Sequence, residues 1–500
     1  MLAILSKKAR GRNLFIALSP AFALLLSCTP AFAQYKPSEQ VPADWKVGFD
    51  SITETESQSL LTIFASDSFA GRGTGQVGYI KAAHFVAGKL AEYGFEPIGD
   101  NETYFQALPF SRIGPNLEAS SITIGERTFQ AADGLGFVSF SATQELTADV
   151  VFISAFGDRV SVPDKSEIKD KTVVINAKDT GLSFLRPLLQ AEPAAIIQIV
   201  DGEPENRSRI SQGNANPRGG RMRLQITRAL AASLAEICKV DPNIVAAEPA
   251  EAQLIQVGNQ ELKIDFRVLD QPIRVPNVVG WLPGSDPELR DEYIVVGAHL
   301  DHLGERDGEI FPGADDNASG SVAIVQLAKA LHENPVKPKR SVLYLAFAAE
   351  EIGLVGSAYY VEHPLRPLEK CVCMLNIDMI GRNEETASEP ATENEISIHL
   401  VGVKDIAPEL HETVLAANKY VGFDFEYDEE RVATRSDQAS FGRKGIPTTF
   451  LFGGFNPHYH QTSDTLTGIN YTKIANAARL NYLCVMLASD HGPFPRLQEK

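Results

Sequence analysis

A chain of 500 residues exceeds what one compact hydrophobic core ordinarily holds, so two domains, or one domain with a large insertion, is the starting expectation. The formal charge of −18 at pH 7 speaks against nucleic acid as a partner, and the 44 % hydrophobic content is that of a soluble globular protein. Five cysteines over this length do not make a disulfide scaffold.

The N-terminus carries Lys7, Lys8, Arg10 and Arg12, then an apolar run from Leu14 to Leu26, then Ala31, Phe32 and Ala33 before Gln34. That order is the pattern of an export signal, so residues 1–33 are expected to be a signal peptide and the mature protein to be periplasmic or secreted. The apolar run is shorter than the ~20 residues that span a bilayer, and Pro20 interrupts it, so no integral membrane span is expected. Residues 25–28 (LLSC) resemble the lipobox of bacterial lipoproteins; cleavage before Cys28 would instead leave a lipid anchor on that residue.

Apolar spacing predicts helices from Thr53 to Leu61 and from Tyr79 to Tyr93, the second stopped by Gly94 and Pro97. The link between them, residues 66–75 (SDSFAGRGTG), lacks the phosphate-loop pattern and follows no strand, so it is not read as a phosphate site. Residues 34–116 are taken as the first part of the main domain. Residues 117–268 change texture to short β-rich runs such as 121–125, 148–153, 171–175 and 194–200, and are expected to be an inserted accessory domain.

From 269 to 500 strand and helix alternate: strands at 293–297, 341–347 and 371–377, helices at 321–332 and 356–361, and further runs at 396–400, 408–421, 448–452 and 471–489. This predicts an α/β fold with a mostly parallel central sheet flanked by helices. Cys371 and Cys373 sit at i and i+2 of a strand and are expected on one face as small buried residues.

Chemistry concentrates just past these strands, where ligands bind in such sheets. Glu350 and Glu351 follow the apolar run 341–349, where two solvated acids have little reason to sit. They cannot both point the same way on a strand, which suits one as metal ligand and the other as general base. His299 shares a face with Asp301 in extended geometry, so that carboxylate could orient the imidazole. His302 competes with His299 as a candidate ligand, but in extended geometry it would face the other way, so it ranks below His299 and is read mostly as a loop histidine. Asp315 lies in the glycine-rich turn before the helix at 321–332, Asp378 closes an apolar strand, and His460 makes the fifth candidate ligand. Imidazole and carboxylate suit zinc, and two metals bridged by a carboxylate can activate water for amide hydrolysis.

Five segments, 297–302 (GAHLDH), 312–320 (PGADDNASG), 349–353 (AEEIG), 376–379 (NIDM) and 459–465 (YHQTSDT), in that order resemble the co-catalytic dizinc aminopeptidases related to glutamate carboxypeptidase II. The opening segment 61–75 and the late segments 435–441 (RSDQASF) and 445–447 (GIP) extend the resemblance over most of 55–490. It implies two zinc ions per chain, His299 and Asp378 on one, Glu351 and His460 on the other, and Asp315 bridging. It also implies Asp301 as the group orienting His299, Glu350 as general base, and an unusual, cis-type Asp315–Asp316 peptide. Some relatives carry a protease-associated domain where 117–268 falls. Gln438 and Gln461 depart from the family's usual histidine and threonine, which puts substrate preference in doubt.

The function implied is an exported exopeptidase acting on peptides, an aminopeptidase first. A carboxypeptidase would need basic groups for the substrate carboxylate, for which Arg435 is the candidate. A glutaminyl cyclase of the same superfamily would use a single zinc, and a non-catalytic binding module would have lost ligands that are present here.

Overall fold

The computed structural model describes residues 34–140, 143–156, 164–178, 181–212, 221–248 and 253–497; the expected signal peptide and Cys28 lie outside the described residues. Strands β1 (Phe105–Ala107), β2 (Pro276–Leu282), β3 (Tyr293–His299), β4 (Ser341–Phe347), β5 (Cys371–Asp378), β6 (Ser397–Leu400), β7 (Asp424–Glu426) and β8 (Thr448–Phe452) form one sheet in the order β1-β2-β4-β3-β5-β8-β6-β7. The centre is parallel, with β3 between β4 and β5 and β8 beyond β5. Antiparallel pairs lie to either side, where β1 meets β2, β2 meets β4, and β8 meets β6.

The continuous apolar runs follow from burial on both faces. Ile294, Val296 and Ala298 of β3 pack in one cluster with helices α1 (Glu54–Phe64), α2 (Val77–Glu92), α3 (Gly320–Glu333) and α4 (Tyr471–His491). Tyr293 and Val295 of the same strand pack in another with Tyr360 and Phe441. Each buried Ile or Val of this strand contributes about 1.5–3 kcal/mol relative to exposure.

The two cysteines depart from strict alternation. Tyr293 pairs with Cys371 and Ile294 with Cys373, so Val372 is the extra residue of a bulge. Cys371 therefore joins the second cluster and Cys373 the first, on opposite faces rather than on one. Cys238, Cys371, Cys373 and Cys484 are all buried and free.

A second eight-stranded sheet is built from strands between Ser121 and Phe266 and has apolar clusters of its own. The strand that leads into it, Phe110–Pro115, pairs antiparallel with the strand that leads out, Val268–Ile273. None of the candidate ligands lies in it. Tyr35–Lys500 nonetheless makes one compact unit. Among the described residues no helix is long and apolar enough to cross a membrane.

Candidate active site

The parallel strands deliver their acids and imidazoles at their carboxyl ends. β3 ends on His299 and β5 on Asp378, while Glu350 and Glu351 follow β4 after Ala349. Ala349 (φ 58°), Met379 (φ 51°) and His460 (φ 57°) are left-handed without being glycine. Such backbone costs about 1–3 kcal/mol per residue and persists where the surroundings fix it, here beside or within the cluster.

His299, Glu350 and Asp378 form one group of converging ligand atoms, and His302, Asp316 and Glu351 a second. His299 Nε2 lies 3.1 Å from Asp378 Oδ1 and 3.9 Å from Glu350 Oε2. Glu351 lies between two imidazoles, with Oε1 2.7 Å from His302 Nδ1 and Oε2 3.1 Å from His460 Nε2. Asp316 joins the groups: its Oδ1 is 3.5 Å from His299 Nε2 and its Oδ2 3.1 Å from His460 Nε2.

The joining carboxylate is thus Asp316 and not Asp315. Asp315 turns away, its Oδ1 accepting from the backbone N–H of Gly381 (2.7 Å) and Arg382 (3.0 Å) and its Oδ2 from Asn456 Nδ2 (3.0 Å). The reason is the loop backbone. Gly313 is left-handed at φ 57°, and a Cβ there would run into Asp316 O and the His302 ring. Asp464 accepts from the N–H groups of both Asp315 and Asp316, which fixes the turn that separates their side chains. The cis peptide is Asp316–Asn317, one residue on from the expected position.

Asp301 also acts differently from expectation. Its backbone carbonyl, not its carboxylate, lies 3.0 Å from His299 Nδ1. The carboxylate instead accepts from Thr74 Oγ1 (2.8 Å) and from the N–H of Glu350 (3.0 Å) and Glu351 (3.4 Å), holding the acidic pair by its backbone. His302 is no loop histidine: it is fully buried against Glu351. Both errors share a cause, since the chain leaves extended geometry after β3 and the alternation rule no longer says which way 301 and 302 face. Gln438 is buried, accepting from Asn376 and donating to the Ala433 carbonyl, so it supports the wall rather than lining the cleft.

The glycine-rich segment 66–75 proves to be a brace. Ala70, Gly71 and Arg72 are all left-handed, which turns the Arg72 side chain inward. Fully buried, it donates to the carbonyls of Phe64, Leu300, Pro312 and Gly313 and so ties the end of β3 to the loop that carries Asp316. Arg72→Met is expected to cost at least about 3 kcal/mol, because several buried carbonyls lose a charged donor. Equilibrium denaturation in urea checks this, and a loss under 1 kcal/mol would show that water replaces the guanidinium.

Burial, with Asp378, Asp437 and Glu351 close by, pushes the Glu350 carboxyl well above the usual carboxylate range. Burial and the neighbouring Glu351 likewise raise Asp316. For His460 burial opposes the charged ring, yet Asp316 and Glu351 carry it up to about 10. Four acids and three imidazoles converge here. Their nitrogen and carboxylate-oxygen donors are those of a zinc site, so the residues present fit a divalent cation. Beside them open Met379, Val432, Phe450, Phe452, Phe455 and Tyr459, an apolar recess with Arg435 also in its lining.

Residues 277–485, which carry every one of these groups, match the profile of Peptidase family M28. Among curated relatives the chain is 28 % identical over 251 residues to a probable leucine aminopeptidase of Arthroderma otae, covering 48 % of this chain and 66 % of that one. It is 29 % identical over 228 residues to the probable lipoprotein aminopeptidase LpqL of Mycobacterium tuberculosis, covering 40 % and 43 %. The chain thus spans roughly half the length of the curated relatives it matches. In fold it is similar to BSAP, a zinc aminopeptidase from Bacillus subtilis, with TM-score 0.50, 18 % identity, and coverage of 89 % of this chain and 98 % of that one.

Proposed function

We propose that the protein is a zinc-dependent aminopeptidase of the dizinc type, exported from the cytoplasm. The observation that carries the reading is Asp316 standing between His299–Asp378 and Glu351–His460, with Glu350 at its side. His299 and Asp378 would hold one zinc, Glu351 and His460 the other, and Asp316 both. Bound there, zinc supplies Lewis acidity toward a water and toward the scissile carbonyl.

Glu350 accepts the proton of the attacking water at its carboxylate and returns it to the leaving amine, a task its raised proton affinity suits. Asp301 fixes where that carboxylate sits through the Glu350 N–H. Phe450, Phe452, Phe455, Val432 and Met379 receive an apolar side chain of the substrate's first residue. The surrounding acids favour a free ammonium over a carboxylate, which selects the amino end. Arg435 is engaged with Tyr459 Oη at 3.2 Å and packs over the Phe455 ring.

Peptides blocked at either end test the choice. N-terminal acetylation is expected to abolish cleavage and C-terminal amidation to leave it intact; the opposite pattern would make the enzyme a carboxypeptidase. We further propose residues 117–268 as an inserted protease-associated-like domain between 34–116 and 269–500, with residues 1–33 removed on export. The intact mass of the mature chain tests the last point, expected to begin at Gln34; a lipid-bearing Cys28 would replace it.

A further inference from the structure

We propose that Glu384, His399 and Glu426 form an additional divalent-metal site at the edge of the central sheet, separate from the active-site cluster. The three come from different segments: His399 from β6, Glu426 from β7, and Glu384 from the loop after β5. In the parallel β6–β7 pair His399 lies directly opposite Glu426. His399 Nε2 is 3.0 Å from Glu384 Oε2 and 3.5 Å from Glu426 Oε2, and the three ligand atoms lie within 4.8 Å of one another.

A second feature of the imidazole points the same way. His399 is 1 % exposed, and its Nδ1 makes no hydrogen bond among the described residues although Asp428 Oδ1 stands 3.1 Å away. With Nε2 on a metal the ring proton must sit on Nδ1, facing that carboxylate, and a carboxylate behind a ligating histidine is the usual arrangement. Charge agrees. Three carboxylates converge on one ring, while the hydrogen bonds of two neighbouring cations go to other groups: the buried Lys473 Nζ donates to the Asn394 carbonyl, and Arg431 pairs with Glu429. One imidazole with carboxylate oxygens suits zinc or manganese rather than a soft ion or the all-oxygen shell of calcium.

The site would brace the substrate recess from behind. His399 lies opposite Phe452 in the β6–β8 pair with ring centroids 5.8 Å apart, and Phe452 lines the recess. Glu384 packs so closely on Gly454 that a Cβ there would collide with it. A metal on these three groups would fasten the loop after β5 to the sheet edge that carries the aromatic wall.

The test separates this site from the active one. Full-length His299→Ala/Asp316→Ala/Glu351→Ala protein, which breaks both ligand groups of the active site, stripped with chelator and titrated with Zn2+ and with Mn2+ by calorimetry, is expected to bind one equivalent of at least one of them and to melt at higher temperature with it. Adding His399→Gln, or in a parallel protein Glu426→Gln, is expected to abolish both effects, circular dichroism confirming the fold. Glu426 is partly exposed, so its replacement serves if the histidine variant does not fold. Absence of binding in the triple variant, or binding that survives both added substitutions, would overturn the proposal and leave the cluster as a proton-bridged network.

Discussion

Glu350→Gln is expected to lower kcat by about 10²–10⁴-fold while the protein keeps its full complement of metal by elemental analysis. The neighbouring Glu351→Gln is expected to lose metal. The difference lies in what each carboxylate touches. Glu351 has one oxygen against His302 and the other against His460, so it is built into the cluster. Glu350 stands 3.9 Å from His299 Nε2, lines the recess, and is placed by its backbone N–H on Asp301. Near wild-type turnover of Glu350→Gln with metal bound would remove Glu350 as the base. Loss of metal from that variant would make it a ligand instead, since it also converges with His299 and Asp378.

Asp316 and Asp315 are expected to fail in opposite ways. Asp316→Asn should weaken metal binding by more than about 100-fold, because loss of a joining ligand exceeds the 10- to 100-fold cost of losing an outer-shell partner. Its chelator-stripped form should be at least as stable as the stripped wild type, since burial and Glu351 already disfavour the charged Asp316. Asp315→Asn should retain metal far better but cost about 2–3 kcal/mol, as two backbone N–H groups and Asn456 lose a carboxylate acceptor. Metal titration beside urea denaturation of both proteins checks the pair. If Asp315→Asn were the one to lose metal at unchanged stability, the joining role would return to Asp315.

The strand ends and their acids were legible because the physics there is regular. A parallel sheet buried on both faces writes itself as apolar runs, and an acid or imidazole that breaks such a run stands at the carboxyl edge, as His299, Glu350, Glu351 and Asp378 do. Arg72, Thr74, Asn456 and Asp464 were not legible as parts of the site. Their contacts are to backbone groups or side chains as far as 241 residues away, and no spacing in the sequence encodes such a meeting.

By itself the sequence determined the α/β class, the β-rich texture of the segment that forms the second sheet, the order of chemical groups along the chain and the side of the sheet on which they gather. Only the tertiary structure decided which of two adjacent aspartates faces the imidazoles, that His302 is buried beside Glu351, that Asp301 holds the acidic pair rather than the ring, and that Cys371 and Cys373 part company. Periodicity assigns faces only while the backbone is regular. At a bulge, a left-handed residue or a loop clamped by a distant carboxylate, the direction of a side chain is set by contacts that close after the chain has folded.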